Sequence, residues 1–148
     1  MRNMPITLAF ACLLALSLSL ARAAEDPKDA LQGVWIAQSG ERDGAASPAE
    51  DIKSVKITIT ADKFTLQEKD EKDMECAYKI DTTQSPKQLD LTPANKENKP
   101  VHAIYELKGD ELKICARQAD SSDGPRPTEF ATKKDSHFAL LVLKREKK

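Results

Sequence analysis

Few side chains in this chain could do chemistry, and their spacing limits what they could do. In ELKICAR, Cys115 shares a strand face with Lys113 and Arg117, two cations that would favour a nucleophilic thiolate beside a suitable base. The sequence places no histidine next to it, so a structural or paired cysteine is the reading. His102 and His137 are the chain's two histidines, one early in the sixth strand-like run and one just before the eighth. In a ring of eight those runs lie two apart, and nothing else supports a shared metal. RPTEF, residues 126–130, offers Arg126 and Glu129 as groups that position a ligand or form an internal ion pair. Pro125 and Pro127 stiffen that stretch, and Phe130 is expected to drop into a core. There is no His-Glu-x-x-His, no Cys-x-x-Cys, no Gly-x-Ser-x-Gly and no phosphate-binding glycine loop. The expectation is a protein without a catalytic centre, metal or cofactor.

Cys76 and Cys115 would meet in an oxidising compartment if the chain is exported, and a disulfide is the first reading there. Strand parity opposes it. In MECAYKI, Cys76 shares a face with Met74, Tyr78 and Ile80, an inward set, whereas Cys115 lies opposite Leu112 and Ile114. One thiol points in and the other out unless a bulge intervenes.

Export itself is read from the N-terminus. Arg2 precedes an uncharged apolar run from Ile6 to Leu20, and Ala21-Arg22-Ala23 supplies the small-x-small cleavage pattern, so residues 1–23 read as a signal peptide. The run is short for a membrane span, which needs about 20 apolar residues, so no transmembrane segment is expected after cleavage. Ala9-Phe10-Ala11 is a poor lipobox and argues against a lipid anchor at Cys12. Cleavage removes Arg2 and Arg22 and no acid. The 23 Lys and Arg then fall by two to 21, against 24 Asp and Glu, a net charge near −3. With no basic patch, nucleic acid is not an expected partner.

The elements that must position these groups are strands. After a polar segment at 24–30, expected to be loose, apolar residues alternate in GVWIAQ, VKITIT, KFTLQEK, MECAYKI, KQLDLT, VHAIYEL, ELKICAR and HFALLVLK. Short links between these eight runs make neighbours antiparallel. SPAEDIKS, residues 47–54, predicts one short helix, with Ser47 as N-cap, Pro48 at the first helical position and Glu50 completing a capping box. Eight antiparallel strands hide their edges fully by closing into an up-and-down barrel. The expected fold is therefore all-β: an eight-stranded antiparallel barrel over residues 31–148, with one short helix between its first two strands. Such a barrel is just wide enough to be filled by side chains or to hold one small ligand.

Gly33-x-Trp35 on the first strand, with Lys144 and Arg145 closing the last, resembles the lipocalin pattern. In that superfamily a basic side chain from the far end of the fold packs over the indole at the closed end of the barrel. The ordered set LQGVW, VKITITADKFTL, IYEL, LKIC, RPTEF and VLKR resembles, over the whole mature chain, a small exported lipocalin-like domain abundant in planctomycete bacteria. That family has no assigned activity. The resemblance implies Gly33, Trp35 and Arg145 as structural anchors.

Two functions follow as expectations. The first is an exported, non-enzymatic binding module holding a small, largely apolar ligand. Phe64, Leu66, Met74, Tyr78 and Tyr105 would be its candidate lining, with Arg126 and Glu129 in a loop closing the open mouth. The second is a filled barrel working through its loops or outer surface on another exported protein.

Overall fold

A computed structural model describes residues 26–118 and 123–147; the expected signal peptide lies outside the described residues. Eleven elements follow one another: α1 (Pro27–Leu31), β1 (Gly33–Arg42), β2 (Ala45–Ala46), α2 (Ala49–Lys53), β3 (Lys56–Ile59), β4 (Phe64–Gln67), β5 (Met74–Asp81), β6 (Lys87–Pro93), β7 (Val101–Lys108), β8 (Glu111–Arg117) and β9 (Phe138–Arg145). Strands β1 and β3 to β9 pair in chain order, every pair antiparallel, and β1 closes the ring on β9. The fold is a closed eight-stranded antiparallel barrel; the two-residue β2 is a hook on β1.

Alternation along the strands fills the inside. Trp35, Ile57, Ile59, Phe64, Cys76, Tyr78, Leu89, Leu91, Ala103, Tyr105, Leu112, Ile114 and Leu143 form one continuous buried cluster. Strand β1 carries a bulge between Ala37 and Ser39, which resets its parity so that Gly40 is the next residue turned inward. The strand consequently runs four residues beyond GVWIAQ, to Arg42.

Two helices plug the two ends. The segment at 27–30 is not loose, as expected from its polarity, but helical: the Asp26 side chain accepts from Lys28 N at 2.8 Å, and Pro27 takes the first turn, where its missing N–H costs nothing. This turn lowers Leu31, 2% exposed, into the barrel end where β1 begins and β9 finishes. At the other end α2 seats Ile52 on Gly40, so close that the Ile52 Cδ1 leaves no room for a Cβ at Gly40. The helix starts later than its capping box predicts. Pro48 is the N-cap, no side chain caps it, and Ser47 is held by its backbone N donating to Gly40 O at 2.9 Å. Ser47 thus lies one residue before the N-cap, in the link between β2 and α2.

Over its described residues, the long link between β8 and β9 does not close a mouth. Its described part, residues 123–136, straps the outside of the barrel from β6 across β7 and β8 toward β1.

Candidate functional site

The residues named from sequence separate into three places. At the plugged end, Trp35 is fully buried, its Nε1 donates to Leu31 O at 2.9 Å, and the Arg145 guanidinium stacks 4.3 Å from the ring centroid. The same guanidinium donates to the carbonyls of Gln32 and, at 2.8 Å, Ala30, and its Nε lies 3.3 Å from an Asp110 carboxylate oxygen. Gly33 sits beneath it at φ +136, a backbone state open to glycine, and a Cβ there would lie 2.8 Å from Arg145 Nη1. Arg145 thus satisfies carbonyls that α1 leaves free at its C-terminal end. Lys144, the other candidate cation, is exposed. A cleft of about 440 Å3 opens beside this knot, lined by Asp29, Ala30, Gln32, Leu107, Gly109 and Arg145.

In the interior, Phe64, Tyr78 and Tyr105 are buried members of the core, and Leu66 and Met74 pack against it. The Tyr78 hydroxyl donates to Thr60 O at 2.6 Å, and Lys28 Nζ lies 4.6 Å over its ring. The Tyr105 hydroxyl is buried without a hydrogen-bond partner among the described residues. Burial raises both phenols above the ordinary tyrosine range. Neither the 440 Å3 cleft nor a second one of about 240 Å3 is lined by any of these five side chains.

On the outer wall the strap brings together groups far apart in sequence. Asp90 and His102 face each other outward across β6 and β7, with His102 Nδ1 2.8 Å from Asp90 Oδ1. Arg126 reaches over both, its Nη2 donating to Asp90 Oδ1 at 2.6 Å and its Nη1 to Ala103 O at 2.7 Å and Leu89 O at 3.3 Å. Glu129 is not its partner. It is exposed and pairs with Lys133 at 3.5 Å, because the half-buried Asp90 already supplies the counter-charge at Arg126. Neither residue gates a mouth. The 240 Å3 cleft lies beside the strap, lined by Gln84, Ser85, Pro86, Gln88, Ile104, Arg126, Pro127 and Thr128.

Under the strap, Cys115 joins Ile104 and Leu140 in a second, smaller apolar cluster, with Phe130 and Phe138 packed on it. Parity places Cys115 outward and Cys76 inward; both are buried and, among the described residues, unpaired. Burial pushes each thiol up to about 11, which works against the thiolate that Lys113 and Arg117 would favour. The Arg117 guanidinium instead lies 5.8 Å from the Phe138 ring centroid. His137 sits apart from His102, its backbone N donating to Asp43 Oδ1 at 2.7 Å. Among the described residues no three or more His, Cys, Asp or Glu gather in a way that could hold a metal. No described helix is long and apolar enough to cross a membrane.

The Asp90 cluster makes strap docking sensitive to acid. Partial burial raises the Asp90 carboxyl, but hydrogen bonds from His102 and Arg126 and the Arg126 charge outweigh it, leaving the pKa below the usual aspartate value. A lowered folded pKa contributes stability above the unfolded value of about 3.9, and that contribution is lost as pH falls through the folded one. Thermal unfolding of the wild type and Asp90→Asn should therefore differ at neutral pH and converge below pH ~4. Parallel melting-temperature curves down to the acid end would show that Asp90 holds nothing.

Comparison of the chain with protein-family models, curated proteins and solved structures gave no match.

Proposed function

We propose that this chain is an exported, non-enzymatic barrel module whose interior is core rather than carrier cavity, and which acts on another exported protein through its outer wall. The observation that carries this reading is the double plug. Leu31 and Ile52 close opposite ends over an interior where Trp35, Leu112 and Leu143 are each 0% exposed, so a ligand would have to displace core side chains. Buried thiols that resist ionisation and a half-buried Asp90–His102 pair tied down by Arg126 support the non-enzymatic part. Export rests on the signal pattern at residues 1–23 and on the resemblance to exported lipocalin-like domains.

One observation favours the carrier reading instead. A buried hydroxyl without a partner costs about 1–3 kcal/mol, and at Tyr105 the acceptor of a small lipophilic ligand would remove that cost. Titration with a fluorescent long-chain fatty acid separates the two. A filled barrel gives no saturable signal at micromolar protein. Saturable binding with one site per chain, abolished by Tyr105→Phe, would establish the carrier and overturn the filled core.

A further inference from the structure

The strap is built as a loop that closes on itself. At its base Gln118 N donates to His137 O at 2.8 Å. Asp43, in the turn after β1, ties both ends, accepting from Gln118 Nε2 at 3.0 Å and from His137 N at 2.7 Å. The link therefore leaves and rejoins the barrel at adjoining points.

The barrel does not need the strap. Strand β1 pairs directly with β9, and the interior cluster contains no residue of 123–136. What the strap covers is a separate apolar cluster on the outer wall: Ile104, Cys115 and Leu140, with Phe130 of the strap itself. Arg126 holds Asp90 and two wall carbonyls, Pro127 is fully buried, and Thr132 Oγ1 lies 3.3 Å from Glu41 Oε1 while accepting from Gly44 N at 2.9 Å. The strap's other described grips lie at the rim: an exposed Lys99–Asp123 ion pair, the Arg117 guanidinium against Gly124, and the backbone of Lys133 and Lys134 against Gly44. A segment with a closed base and its own small cluster can open alone, at a free energy below that of global unfolding.

We propose that the strap is a latch: it lifts as one unit from a barrel that stays shut, uncovering an apolar face of β7, β8 and β9 centred on Cys115. The proposal does not depend on what the barrel interior holds. The two cysteines report the two kinds of opening separately. Cys115 is 0% exposed with its Sγ 3.9 Å from Ala131 O of the strap, so lifting the strap frees it. Cys76 is 1% exposed inside the barrel and is freed only when the barrel itself opens.

The test is alkylation of the full chain with N-ethylmaleimide in native buffer, followed cysteine by cysteine with peptide mass spectrometry. Cys115 should react at least ten-fold faster than Cys76. Arg126→Gln and Thr132→Val, at separate grips, should each speed Cys115 several-fold further and leave the Cys76 rate unchanged. Should Arg126→Gln fold poorly, the wild-type ratio and Thr132→Val still decide. Equal rates at the two cysteines, or a Cys115 slower than Cys76, overturns the latch, since strap and barrel would then open together.

Discussion

Alanine at Trp35 should lower the unfolding free energy by about 3–5 kcal/mol in urea denaturation followed by far-UV circular dichroism. The residue is the largest of the fully buried side chains, and its removal opens a void in a core otherwise closed by Leu31. Two further losses add to the cavity. The Leu31 carbonyl loses its indole donor, and the Arg145 guanidinium loses the ring on which it lies. A small domain has only about 5–15 kcal/mol in all, so much of the folded population would disappear at moderate temperature. A loss under about 1 kcal/mol would mean that the Trp35 knot is not what shuts this end.

Arg145→Ala carries the second largest effect, about 2–4 kcal/mol, from one stacked cation and the charge-assisted hydrogen bonds to Ala30 O and Gln32 O. Those two carbonyls belong to α1 and the residue after it, so the plug should detach before the barrel opens. Hydrogen exchange at the amides of 28–35 would show this as protection lost there while β5 and β6 keep theirs. Arg145→Lys should not restore the wild type. An ammonium is a single point donor, whereas the planar fork stacks on Trp35 and reaches both carbonyls at once. Full stability in the lysine variant would show that charge alone suffices.

The barrel was readable because its strands alternate strictly and its links are short. Each of the eight apolar runs is a strand, and closure follows from the need to hide edges. The Trp35–Arg145 contact spans the chain; only the Gly33-x-Trp35 pattern and its resemblance pointed to it. The first helix went unseen because a single turn shows no apolar period, although Asp26 before Pro27 carries a start signal like the one at Ser47-Pro48. That second signal misled by one residue: Pro48, not Ser47, is the N-cap.

Least readable was the strap. GPRPTEFATKKDS has neither a helical nor a strand period, so its course is set by tertiary partners: Asp90 for Arg126, Glu41 for Thr132, the Ile104–Cys115–Leu140 cluster for Phe130. Arg126 and Asp90 are 36 residues apart, whereas Glu129 offered a nearer carboxylate that the fold turns to solvent. Parity did place Cys115 on the outer face; nothing in the pattern of ELKICAR shows that another segment covers that face.

A filled interior is the central claim, and the mass of the native particle tests it most directly. Native mass spectrometry of the protein isolated from its own cells should give the polypeptide alone, with no small molecule retained under gentle ionisation. A stoichiometric adduct of a few hundred daltons, lost on unfolding and absent from Tyr105→Phe, would contradict the account and make the barrel a carrier.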